Sequence, residues 1–212
     1  AQRGEFEQAK EKFDQVTRLN RDCDNAWFNL AELSLHLKQF EQAIDFYSRV
    51  YEKDPADVQT LTGRGHAYLA SGQLDLAYAD YLTVVALQPD SELAICNLSD
   101  ACCRLNRWEE AERHLQKAIA LPNAAVSFER LADLKATCPD ESFRNTAMAV
   151  RLAEQAVKAN PQSDQFLATL SKAYESNGQT ELANETKNRI RDLAGSSTQT
   201  AKQAESTKKV IR

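Results

Sequence analysis

The chain lacks most of what chemistry requires. Its 212 residues contain no Gly-rich phosphate loop, no GxSxG turn and no HExxH pair, so no familiar nucleophile, nucleotide or zinc motif can be assigned. The five cysteines, Cys23, Cys96, Cys102, Cys103 and Cys138, form no CxxC pair and no His-spaced ligand set. An odd, scattered set fits reduced thiols, and a cytoplasmic setting is the expectation. The apolar runs fall well short of the roughly 20 residues that span a bilayer, so no membrane insertion is expected. Excess positive charge is also missing: 26 Lys and Arg stand against 31 Asp and Glu, a net charge of −5. Basic and acidic residues alternate along the chain, whereas a phosphate-binding surface needs clustered Lys and Arg. Nucleic acid, metal and cofactor are therefore not expected as ligands.

What the chain does have is a period of 34 residues. Trp27, Leu30, Ala31, Ala43, Tyr47 and Pro55 recur in phase as Leu61, Arg64, Gly65, Ala77, Tyr81 and Pro89, and then as Ile95, Leu98, Ser99, Ala111 and Leu115. Each unit carries two stretches with apolar residues at i, i+3, i+4 and i+7, the spacing of an amphipathic helix. With Trp27 as repeat position 4 and Pro55 as position 32, helix A covers about positions 1–14 and helix B about 17–30. Small residues at positions 8 and 20 let A and B approach closely. Gly72 and Gly178 at position 15 suit the turn between them, because glycine tolerates positive φ. Pro55 and Pro89 stand where helix B must stop. The fold expected is all-α, an α-solenoid of stacked helix-turn-helix hairpins.

These residues resemble the tetratricopeptide repeat family, through Trp27-Phe28-Asn29-Leu30-Ala31 and then Ala43, Tyr47 and Pro55. The resemblance covers roughly residues 4–194 and implies a right-handed superhelix, with helix A lining the concave wall. The array is expected over 1–194: a half repeat at 4–23, then repeats at about 24–57, 58–91, 92–123, 124–161 and 162–194. A polar tail or linker is expected at 195–212. The half repeat holds a helix B without its A, which leads to the expectation that the chain is a fragment of a longer protein. In the fourth repeat about five extra residues lie within 137–145. There Pro139 is expected to end helix A, with Asp140 or Ser142 capping the next element. That stretch and Ala-Val-Arg-Leu-Ala at 149–153 look like a variant repeat of large bacterial multidomain proteins, a resemblance that implies no defined activity.

The candidate site is the helix-A face. Asn29 and Asn97 both occupy position 6, where an amide can donate to and accept from an extended peptide backbone. Arg104 and Arg130, with Asn97, could hold an anion; the plain alternative is a solvated face with ion pairs to Glu129, Asp100 or Asp133. Position 9 reads Glu32, His66, Asp100 and Asp133 in successive repeats. A histidine between carboxylates invites thoughts of acid–base work, yet no nucleophile accompanies it, and the plainer reading is a polar groove with one imidazole. Phe28, Leu35, Leu69, Leu93 and Val126 would supply apolar contacts. Cys102 is expected in the core, and Cys96 and Cys103 at the groove edge. Some tetratricopeptide proteins clamp the carboxyl-terminal tails of heat-shock chaperones with two lysines, two asparagines and an arginine. At those positions this chain has Thr62, His66, Asn97, Val126 and Arg130; both lysines are absent, and the resemblance does not extend to that ligand.

The function expected is a non-enzymatic protein–protein interaction scaffold that binds an extended peptide or partner helix through Phe28, Asn29, Glu32, His66, Asn97, Asp100, Arg104 and Arg130. Two other readings remain open. The array could be a regulatory or substrate-presenting arm of a larger kinase or transferase, or a module that self-associates end to end.

Overall fold

The computed structural model describes the backbone of residues 2–20 and 23–210, and side-chain environments for residues 4, 6–20 and 23–195. Among these residues there are eleven α-helices and no strand. The chain forms two compact units, Ala1–Ala111 and Glu112–Arg212. The first holds α1 (Gln2–Leu19), α2 (Asp24–His36), α3 (Phe40–Lys53), α4 (Val58–Ala70), α5 (Leu74–Leu87) and α6 (Glu92–Arg104). The second holds α8 (Ala125–Thr137), α9 (Thr146–Ala159), α10 (Asp164–Ser176) and α11 (Thr180–Val210), and α7 (Trp108–Ala118) runs from one into the other. Each unit is built of antiparallel A–B hairpins, with sequential helices packed on one another.

The A-to-B turn is the same local device four times. Lys38, Gly72, Asn106 and Gly178, all at position 15, adopt positive φ. The next N–H in each case reaches back to close the helix: Gln39 to Ser34, Gln73 to Tyr68, Arg107 to Cys102 and Gln179 to Tyr174, at 2.8–2.9 Å. This is a Schellman end, which satisfies carbonyls the helix leaves orphaned. Asp57, Ser91 and Ser163 accept from the third residue onward to cap α4, α6 and α10.

The fourth repeat closes differently. Cys138 is extended before Pro139 (φ −49°, ψ 129°), as the proline ring demands. Asp140 caps only the short 3-10 turn Glu141–Phe143, and α9 is capped by Asn145 instead. The Asn145 N–H also donates to the Lys135 carbonyl at 2.9 Å, pinning the added residues back onto α8. The helix α11 continues through most of the expected polar tail, to Val210; residues 211–212 lie outside the described residues, as do 21–22 of the expected half repeat.

Packing within the hairpins follows the small positions. Ala31, Ala43 and Tyr47 are fully buried with Ala67 in one cluster. A Cβ on Gly65 would stand 2.6 Å from the Tyr81 ring, and one on Gly63 would stand 2.4 Å from Tyr47, so these two helix-interior glycines are where the tyrosine rings fit. Position 7, filled by buried leucines at Leu30, Leu98 and Leu131, holds Arg64 in α4. Its guanidinium forks onto Asp80 with two 2.8 Å hydrogen bonds and lies 3.8 Å from the centre of the Tyr51 ring. Burial works against the charge of Arg64, but Asp80 outweighs it and the pKa rises above the ordinary guanidinium value.

Candidate helix-A face of the first unit

Three A helices, α2, α4 and α6, carry the candidate residues of the first unit. Phe28 is half-buried and meets Tyr47 edge-on, with ring centres 5.7 Å apart. Asn29 is exposed, and its amide donates to the Asn25 carbonyl of its own helix at 2.6 Å. Glu32 is half-buried and accepts a hydrogen bond from the Tyr47 hydroxyl. Burial, and then that bond and the charge of Glu32, hold the Tyr47 pKa well above the phenol range. A buried phenol needs a partner, and position 9 supplies it.

His66, one repeat on, sits edge-on to Tyr81 with ring centres 5.8 Å apart and hydrogen-bonds to Asn97 of α6. The surrounding protein desolvates His66 and moves its pKa below the ordinary imidazole value, while Asn97 and the charge of Glu32 pull the other way. A neutral imidazole is thus favoured near neutral pH. Beneath it the Tyr81 hydroxyl is buried with no hydrogen-bond partner among the described residues. Burial, and then Asp100 and Asp80, raise its pKa, with Arg104 opposing. Asp100 is half-buried; Arg104 donates to the Leu69 carbonyl at 3.4 Å. Leu93 stands one turn before Asn97 and is 63% exposed.

Arg130 belongs to the second unit, on α8, where its Nε lies 3.6 Å from the buried carboxylate of Glu129. Glu129 in turn accepts from Thr169 at 2.7 Å and Gln165 at 3.3 Å on α10, and Asp133 pairs with Lys172 at 2.7 Å. Position 9 of one A helix therefore meets the next A helix in both units, as His66–Asn97 and as Asp133–Lys172. Cys102 is buried, and so is Cys96, which corrects its expected place at the groove edge; Cys103 is half-buried. Position 4 of α6 is already taken by the apolar Ile95, and the helix turns Cys96 inward beside it. The roles of Tyr47 and Tyr81 beneath position 9 are not among the sequence-based expectations. A signal for them exists: of the position-24 aromatics Phe13, Tyr47 and Tyr81, the two tyrosines carry a hydroxyl that phenylalanine lacks. Among the described residues no three His, Cys, Asp or Glu come together as a metal would require, and no helix is long and apolar enough to cross a membrane.

An all-α chain of repeated A–B hairpins with a polar A face is the architecture of a helical-hairpin repeat protein. The tetratricopeptide repeat model matches residues 1–58 and 62–125, and the chain belongs to that family. It is 34% identical over 105 residues to the Bos taurus peptidyl-prolyl cis-trans isomerase FKBP4, a match spanning 50% of this chain and 21% of that protein. Among solved structures, a tetratricopeptide repeat protein from Parabacteroides merdae superposes with a TM-score of 0.72 at 15% identity, covering 90% of this chain and 74% of its own. YrrB, described as a TPR protein with an unusual peptide-binding site, gives 0.58 at 18% identity, covering 87% and 93%. At these identities the superpositions establish the fold. The family and fold make the chain a protein-interaction scaffold of a class that is typically non-catalytic.

Proposed function

We propose that the A face of the first unit binds an extended peptide or a partner helix without catalysing a reaction on it. The observation that carries this reading is the strip on α6 where exposed Leu93 adjoins Asn97, whose side chain is held by His66 across from α4. An apolar contact beside a polar group fixed in advance is what lowers the ordering cost of binding. The buried Tyr81 hydroxyl adds a polar group that a ligand or water would satisfy. The peptide-binding site named for YrrB agrees with this use of the fold. Asn29 would contribute its carbonyl oxygen, since its amide is already turned to Asn25, and Glu32 and Asp100 give the strip acidic character that suits a neutral or basic ligand. Arg130 would act separately, within the second unit.

The test is selection of random linear peptides on the whole chain, then titration of the recovered peptide. Leu93→Ala and Asn97→Ala should each weaken binding about tenfold, while Asp45→Ala on the outer face of α3 should change nothing. Undiminished affinity in both A-face variants would remove this reading. A second reading, an arm attached to an enzyme, draws on the match to an isomerase of which the aligned segment is only 21%; the full reading frame decides it.

A further inference from the structure

Repeat position 24 holds a buried tyrosine in α3 and again in α5, and the two hydroxyls fare differently. Tyr47 donates to Glu32, the position-9 residue of its own repeat. Tyr81 has His66 at that place. The imidazole meets the Tyr81 ring edge-on, with ring centres 5.8 Å apart, and commits its hydrogen bond to Asn97. Tyr81 is only 1% exposed, and its hydroxyl has no partner among the described residues. The ring is wedged against α4, where a Cβ on Gly65 would stand 2.6 Å from it. A buried hydroxyl without a bond bears the full loss of its hydration. Tyr81 therefore gains more from an incoming acceptor than a hydroxyl that is already satisfied, such as that of Tyr47.

We propose, resting on the peptide-binding reading above, that this hydroxyl is the floor of a subsite for a glutamine side chain of the bound peptide. In the first repeat the acceptor is the carboxylate of Glu32; in the second the ligand brings it. Charge decides between an acid and an amide. Burial first, and then Asp100 and Asp80, keep the proton on Tyr81, with Arg104 opposing. The phenol is thus a donor, in a field that disfavours another carboxylate. A carboxamide offers the same oxygen without the charge, and adds two N–H donors. Its oxygen accepts from Tyr81, and its N–H donates to Asp100, half-buried at position 9 of the next repeat. His66 stands at the surface over the hydroxyl. A ligand therefore reaches Tyr81 by turning the imidazole aside and bonding the Asn97 amide that it releases. An apolar side chain would leave the hydroxyl orphaned, and lysine or arginine brings it no acceptor.

The test uses three libraries of short random peptides, identical but for a fixed central Gln, Glu or Leu, selected on the whole chain. The Gln library should enrich most. Its recovered peptide should bind about tenfold tighter than the same peptide with Glu or Leu at the centre. Tyr81→Phe, which keeps the ring, should bring the three peptides within about twofold of one another. The same substitution should leave the melting temperature of the free chain unchanged or raised, since no bond is lost. Tyr47→Phe, which loses its bond to Glu32, should lower it. A Gln peptide no tighter than its Glu and Leu counterparts, or a preference for Gln that persists in Tyr81→Phe, overturns the proposal and leaves the groove reading standing. Destabilisation of Tyr81→Phe equal to that of Tyr47→Phe overturns it as well, because the hydroxyl then already has a partner. No recovered peptide at all, or binding untouched by Leu93→Ala and Asn97→Ala, removes the groove reading and the subsite with it.

Discussion

The α4–α5 hairpin of the first unit and the α8–α9 hairpin of the second solve one packing problem with opposite chemistry. At repeat positions 7 and 23 the first has Arg64 and Asp80, and the second has Leu131 and Leu152; all four are buried. The ion pair satisfies both carboxylate oxygens and two guanidinium nitrogens, with Tyr51 against the cation. The leucine pair needs no such matching. The connections differ as well, a Schellman turn through Gly72 against a proline-broken loop pinned by Asn145. What the repeat holds constant is therefore the space between A and B, and not the polarity of what fills it. Polarity at those positions is tolerated only when both partners are present and fully bonded.

The largest break in this comparison is Asp80→Ala, which leaves Arg64 buried without its counterion and should cost about 3–5 kcal/mol of stability. Urea denaturation would show it as a lowered midpoint. Converting the pair to the leucines of the other hairpin, Arg64→Leu with Asp80→Leu, should recover most or all of that loss, because an apolar pair carries no desolvation cost. A double variant as unstable as Asp80→Ala would mean that the site cannot accommodate an apolar pair.

A smaller effect is expected at Gly63. Alanine there gains about 1 kcal/mol of helix propensity but drives a methyl into Tyr47, which is fully buried and tied to Glu32. Overpacking of this kind costs about 1–3 kcal/mol, so Gly63→Ala should lower the melting temperature. The matching position of α8 is Arg130, which already carries a side chain there, and Arg130→Ala should be tolerated far better in the same melt.

The smallest effect is a pH dependence. The folded-state pKa of His66 lies below its unfolded value, so the unfolded chain binds the extra proton first. The contribution of His66 is present above about pH 6.5 and is lost as pH falls through the lower folded pKa. His66→Gln should flatten the decline of melting temperature with acidity in that window. An identical decline in the variant would show that His66 does not contribute. The second unit, whose matching position is Asp133 paired with Lys172, has no imidazole there.

Much of the fold could be read from residue spacing. The positions of Ala31, Ala43, Tyr47 and Pro55 and their recurrence mark hairpins without any knowledge of contacts, because helix period and proline act locally. Gly72 and Gly178 mark their turns for the same reason. Lys38 does not, since a lysine at positive φ is forced there by the packed helices on either side and carries no sign of it. Asp140 caps the short turn that follows it, as its place after Pro139 led one to expect. The turn itself and the cap of α9 by Asn145 were not legible, because the bond from Asn145 to Lys135 decides where the loop ends. Of the candidate site, residue identities at positions 6 and 9 were legible, but their partners were not. Glu32 finds Tyr47 in the next helix, and His66 finds Asn97 in the next repeat.

That this chain is a tetratricopeptide array, and which faces of its helices are apolar, follow from the order of its residues, since both are set by periodicity along one chain. Which polar groups are buried, and with whom, follows from how the helices pack. Packing put Arg64 in a core position, sealed Cys96 inside, stood His66 over Tyr81, and left the Tyr81 hydroxyl without a partner among the described residues. Burial and pairing depend on distances between helices that neighbour each other in space, and a one-dimensional pattern carries no record of those distances.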